Sequence, residues 1–208
     1  MIKVIGFDLD QTLYPKSYHI DEAIQLYIYE KISEFKKCSL EEAKELFCSY
    51  YPELSGSKAL MKLGVPDARN IIQEALERAD IDKYLEPNEE LKKLLLKLKD
   101  KYIVDLITGS NKGIALKKLA RLDIPIELFN VAITGEIAKS DGTAYREWLK
   151  NYGYDASEFL YIGDRKSTDV DVPKELGINS FLVNVTKFDE NLEIKQFKSI
   201  LDIGEVLL

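Results

Sequence analysis

Two aspartates, Asp8 and Asp10, stand one residue apart where the apolar run of residues 2–7 breaks into a turn. An unpaired buried carboxylate is costly, so a pair of them at a strand end demands cations or hydrogen-bond donors. Magnesium suits such a pair: it prefers oxygen ligands, takes few protein carboxylates, and leaves positions for water and phosphate. Further along, Thr108-Gly109-Ser110-Asn111 offers a hydroxyl, free backbone N–H groups and a following helix start, the parts of an anion cradle. Lys139 is a compact point charge suited to phosphate. Gly163-Asp164 follows another apolar run, with Asp169 five residues later. Singly, each feature is ordinary turn or surface chemistry. In this order, each at the end of its own apolar run, they describe a site for a phosphoryl group and a divalent cation.

The elements that must position these residues are five short apolar runs, residues 2–8, 102–108, 129–134, 159–164 and 179–185. Near-continuous hydrophobicity predicts strands of a parallel sheet covered on both faces. Amphipathic stretches separate them, one marked by Leu91, Leu94, Leu95 and Leu98, the next by Ile114, Leu119 and Leu122. The alternation predicts a doubly wound, Rossmann-like α/β domain, whose ligand crevice lies beyond the carboxyl ends of the strands. Residues 16–85 break the pattern. Ile24, Ile28, Ile32 and Phe35 fit one helical face. Ser39 to Glu42 has the capping-box pattern before Ala43, Leu46, Phe47 and Tyr50. Ala68, Ile71, Ile72, Ala75, Leu76 and Ala79 recur at helical spacing. The expected organisation is therefore a core of residues 1–15 and 86–208 with an all-helical cap, residues 16–85, inserted after the first strand. The cap's Tyr18, Tyr27, Tyr29, Tyr50 and Tyr51 are expected to pack in its core.

The chain has 208 residues and a formal net charge of −7. That balance argues against a nucleic-acid polymer as partner. No apolar run reaches the length of a membrane span, and no secretory leader is read at the N-terminus. Cys38 and Cys48 lack metal-ligand spacing and are expected to be buried, reduced thiols of a cytoplasmic protein. The expected partner is a small phosphorylated substrate; the sequence leaves the oligomeric state open.

At this point the chain resembles a known family, the haloacid dehalogenase-superfamily phosphohydrolases. Phe7-Asp8-Leu9-Asp10-Gln11-Thr12-Leu13 matches the first motif, hhhDxDxTL, throughout; Thr108 matches the second, Lys139 the third, and Gly163-Asp164 with Asp169 the fourth. The resemblance implies a sheet order of 5-4-1-2-3 and a C1-type cap. It further implies Asp8 as nucleophile and Asp10 as general acid and base. Thr108, Gly109, Ser110 and Lys139 would hold phosphate oxygens. Magnesium would sit on Asp8, the Asp10 carbonyl and Asp164, with Asp169 binding through water or orienting Lys139. "TLYP" and the stretch from Glu41 to Val65 are further similar to the pyrimidine 5′-nucleotidase-like branch, although Ser140 and Arg165 depart from its usual motifs. The expected substrates are nucleoside 5′-monophosphates or sugar phosphates. A phosphomutase of the same fold and a catalytically idle phosphate- or protein-binding module are the alternatives.

Overall fold

Strand β1 (Val4–Phe7) is buried along its whole length. A four-residue strand with no polar face survives only with neighbours on both edges and cover on both faces, and that is its setting. The computed structural model describes residues 1–15, 19–51, 54–78 and 81–208. Tyr18 and Ala79 lie outside the described residues. The chain divides into two units, Met1–Tyr18 with Leu85–Leu208, and His19–Tyr84.

The first unit is built on one sheet. Besides β1 it contains β2 (Ile103–Ile107), β3 (Ala132–Ile133), β4 (Phe159–Gly163), β5 (Asn179–Leu182) and β6 (Lys195–Gln196). The order is β3-β2-β1-β4-β5-β6, with every pairing parallel. Its first five strands, read from β5 to β3, are in the expected order. The short β6 extends the edge, and two residues are too few to leave a periodic trace in the sequence. β3 is also shorter than the run of residues 129–134, because residues 126–128 form a 3-10 turn and the Val131 amide bonds the Asp105 side chain at 2.8 Å.

Helices follow the strands. α6 (Glu89–Lys99) is capped by Asn88, whose side chain accepts the Leu91 amide at 3.0 Å, and it buries Leu91, Leu94, Leu95 and Leu98. α7 (Lys112–Arg121) is capped by Asn111 in the same way, and α8 (Thr143–Lys150) buries Tyr145 and Trp148. Trp148 stands edge-on to Phe159 and joins Val4, Ile107, Ile133 and Ile178 in one cluster. Asp105, buried within β2, is satisfied by Trp148 Nε1 at 2.7 Å, the Tyr152 hydroxyl at 3.0 Å and the Val131 amide. Two short helices, α9 (Val172–Glu175) and α10 (Gly204–Leu207), complete the unit.

The second unit holds α1 (Ile20–Lys36), α2 (Leu40–Cys48), α3 (Gly56–Lys62), α4 (Ala68–Arg78) and α5 (Ile81–Tyr84). Its core joins Ile28, Tyr29, Ile32, Ala43, Phe47, Leu60 and Ala75. The capping box forms: the Ser39 amide bonds Glu42 at 2.8 Å, and the Glu42 amide bonds Ser39 Oγ at 3.3 Å. Phe47 packs on Tyr29 and stacks on Tyr51, so these tyrosines do serve the core. Three expectations are corrected. The inward line of α2 runs through Ala43 and Phe47 and is continued by Tyr51 in the turn beyond it, four residues apart, which leaves Leu46 and Tyr50 outward. Phe35, at the end of α1, is exposed. The cysteines are not buried: Cys38 is half-buried between two helices, and Cys48, one step around the helix from Phe47, is exposed.

Candidate active site

Strand register brings the candidate residues to one level. Phe7 pairs with Leu106 on one side and Ile162 on the other. The next amide of β1, that of Asp8, bonds the Ile162 carbonyl at 2.9 Å; the Thr108 amide bonds Ile133 at the same distance. Asp8, Thr108 and Asp164 therefore each stand just past a strand end, on neighbouring strands of the sheet's centre.

Asp8, Asp164 and Asp169 form an acidic group in which one carboxylate oxygen from each lies within 4.8 Å of the others. Lys139 enters this group from the loop after β3. Its ammonium is 3.0 Å from Asp8 Oδ1 and 3.0 Å from Asp169 Oδ1, with all three side chains nearly buried. The ring of Tyr161 lies under the ammonium, 5.1 Å from centroid to nitrogen. Burial lifts the Asp8 carboxyl to about 7, with Asp169, Asp10 and Asp164 adding to the rise and Lys139 opposing it. Burial also works against the charge on Lys139, yet Asp169 and Asp8 overcome it and hold the lysine above its ordinary value. Beside burial, the carboxylates act on both groups: several of them share this one ammonium, leaving surplus negative charge. Hard anionic oxygens, burial and unbalanced charge fit a divalent cation such as magnesium.

The loop after β4 shapes the Asp169 end. Lys166–Asp171 is a π-helical turn, a form that gathers at functional sites. Within it, Asp169 accepts the Arg165 amide and the Thr168 hydroxyl, each at 3.0 Å. Gly163 lies against this carboxylate so closely that a Cβ there would fall 2.5 Å from Asp169 Cβ and Cγ. At Gly135 a Cβ would fall 3.0 Å from the Gly109 carbonyl carbon. The Gly135 amide bonds the Ser110 carbonyl at 2.8 Å, so the loop leading to Lys139 is tied directly to the Thr108–Ser110 loop.

Asp10 stands apart from the acidic group. Its Oδ1 accepts the Tyr14 hydroxyl at 2.6 Å and the Lys118 ammonium, and its Oδ2 accepts the Ser110 hydroxyl at 2.6 Å. Burial would raise its carboxyl, but Lys118 and the two hydroxyls outweigh that and pull it down to about 2. The cation at Asp10 is thus Lys118 and not Lys139, and the group here is ionised. The Ser110 amide, expected to face phosphate, points at Thr108 Oγ1 at 3.1 Å. Gly109 has open space beside its α-carbon. Lys118, Tyr14 and Asn184 were missed. Lys118 had a signal: it falls on the apolar face of α7, four residues after Ile114 and three after Ala115, where a charge is out of place.

A family model for haloacid dehalogenase-like hydrolases matches residues 5–183. The chain belongs to this family. Among curated relatives, phosphate metabolism protein 8 of Saccharomyces cerevisiae is 35% identical over 136 residues, which cover 59% of this chain. The chain spans only 40% of that relative's length. A glyceraldehyde 3-phosphate phosphatase of Methanocaldococcus jannaschii is 30% identical over 193 residues, 86% of this chain and 83% of that protein. Among solved structures, a haloacid dehalogenase-type phosphatase from Thermococcus onnurineus superposes with a TM-score of 0.68 over 99% of this chain and 98% of that one, at 21% identity. That likeness establishes the shared fold, a parallel α/β sheet flanked by helices.

Proposed function

We propose that the protein is a magnesium-dependent phosphatase of small phosphomonoesters, working through an aspartyl-phosphate. The observation that carries this reading is the placement of Asp8: one carboxylate at the end of the central strand, held 3.0 Å from Lys139 within the group that includes Asp164 and Asp169. Asp8 attacks phosphorus, forming one O–P bond as the bond to the leaving oxygen breaks. Asp10, once protonated, gives that oxygen its proton. It then takes a proton from the water that cleaves the phosphoenzyme, releasing phosphate and restoring Asp8. Lys139, the Thr108 hydroxyl and the Gly109 amide hold the non-bridging oxygens. Magnesium, held by Asp8, Asp164, Asp169 and the Asp10 carbonyl, would supply neutralisation of the phosphoryl charge.

The helical unit, inserted between β1 and β2, is assigned the part of a C1-type cap that selects the leaving group. The phosphatase relatives support a short phosphorylated sugar or carbonyl compound as substrate, over the nucleoside 5′-monophosphates that the nucleotidase-like stretch favours. Among the described residues no helix is long and apolar enough to cross a membrane, which is compatible with work in the cytoplasm. The test is kcat/KM with magnesium across triose phosphates, hexose phosphates, phosphoglycolate and nucleoside 5′-monophosphates. Best turnover of a triose phosphate is expected. Hydrolysis of none of them would remove the phosphatase reading, and a nucleotide as best substrate would return the chain to the nucleotidase-like branch.

A further inference from the structure

The mechanism above leaves one buried cation without a task. Lys118 is only 1% exposed, and its ammonium lies on Asp10 Oδ1 and 3.4 Å from Ser110 Oγ. Three stretches of chain meet at Asp10: Tyr14 from the turn after β1, Ser110 from the loop after β2, and Lys118 from α7. The Asp10 side chain is 29% exposed, so water reaches part of it. What the three donors add is direction: they fix a side chain that solvent would leave free to rotate. They do so at the residue whose aim matters to proton transfer. A buried ammonium is itself costly without its carboxylate, so the pairing constrains both members.

On the phosphatase reading, which this inference rests on, we propose that Lys118 is the positioning residue for the general acid. With Tyr14 and Ser110 it sets the Asp10 carboxylate and so acts on protonation of the leaving oxygen, without touching substrate or metal. The consequence is selective. A nitrophenolate departs without a proton, whereas an alkoxide does not. Because kcat/KM covers the steps up to phosphoenzyme formation, it reports this difference directly.

The experiment compares p-nitrophenyl phosphate with glycerol phosphate, in magnesium, for wild type, Lys118→Met, Asp10→Asn and the double variant. Lys118→Met should lower kcat/KM about 10²-fold for glycerol phosphate and about threefold or less for the aryl ester. In the Asp10→Asn background the same substitution should add little. Tyr14→Phe removes only a hydroxyl and should show the same bias at about threefold to tenfold; if Lys118→Met fails to fold, Tyr14→Phe decides alone. Equal losses on both esters, or a Lys118→Met loss undiminished without Asp10, would overturn the inference. A wild type inactive on both esters would instead overturn the phosphatase reading.

Discussion

Asn184 clips the turn at Gln11: its side-chain amide donates to the Gln11 carbonyl at 2.7 Å and to the neighbouring Thr12 carbonyl at 3.0 Å. Gln11 lies between Asp10 and Thr12 in the left-handed region, at φ 56°. That conformation is strained for a residue with a Cβ and persists only where its surroundings hold it. Asn184 comes from just beyond β5, itself left-handed at φ 54°, a conformation asparagine tolerates well. Asn184→Ala should cost about 1–2 kcal/mol in urea unfolding and lower kcat several-fold as the turn carrying Asp10 loosens. Asn184→Gly keeps the backbone but loses the donors, so it should behave alike. Unchanged kcat in both variants would separate the clip from catalysis.

Asp8→Asn keeps shape and removes the nucleophile. Turnover of p-nitrophenyl phosphate should fall by at least ~10⁴-fold, with far-ultraviolet circular dichroism unchanged. Near-normal turnover in a folded variant would exclude Asp8 as the attacking group.

Acid and metal should act together on stability. Folded Asp8 keeps its proton up to about 7, whereas an unfolded aspartate releases it near 3.8. Between those values the native state binds more protons, so metal-free stability should fall as pH rises through this window, by on the order of a few kcal/mol. Asp8→Asn should flatten the slope, and magnesium should raise the melting temperature most at the upper end. Thermal melts from pH 4 to 8, in chelator and in magnesium, check this; a flat metal-free profile would contradict it.

Gly163→Ala places a methyl group on the Asp169 carboxylate. Because that side chain also holds Lys139 and the Arg165 amide, relief by rotation breaks other bonds. A loss of about 1–3 kcal/mol is expected, together with weaker magnesium dependence of activity. Wild-type stability would mean that the turn adjusts freely.

Much of the fold was legible because each central strand is a short apolar run, and such runs in alternation with amphipathic helices admit few arrangements. Asp8 and Asp164 were legible for a related reason, since a polar residue that ends a buried strand is conspicuous; Lys139 and Asp169 lie farther along their loops and were read only from their order after such runs. Lys118 was not, since it follows Lys117 and reads as one more basic helix residue until its phase is compared with Ile114 and Ala115. Asn184 was hidden by distance, 173 residues from its partner. The outward turn of Leu46 and Tyr50 was missed because three- and four-residue spacings are both helical, and only packing against Tyr29 chose between them.

The register of β1 between β2 and β4 bears on how this chain tolerates insertions and deletions. A single residue gained or lost inside β4 would swap its side chains between the two buried faces of the sheet and shift Asp164 by about 3.3 Å along the strand. The same change in the exposed loop at residues 187–191 would leave every catalytic partner in place. Length variation among related sequences should therefore collect in the loops and spare the central strands.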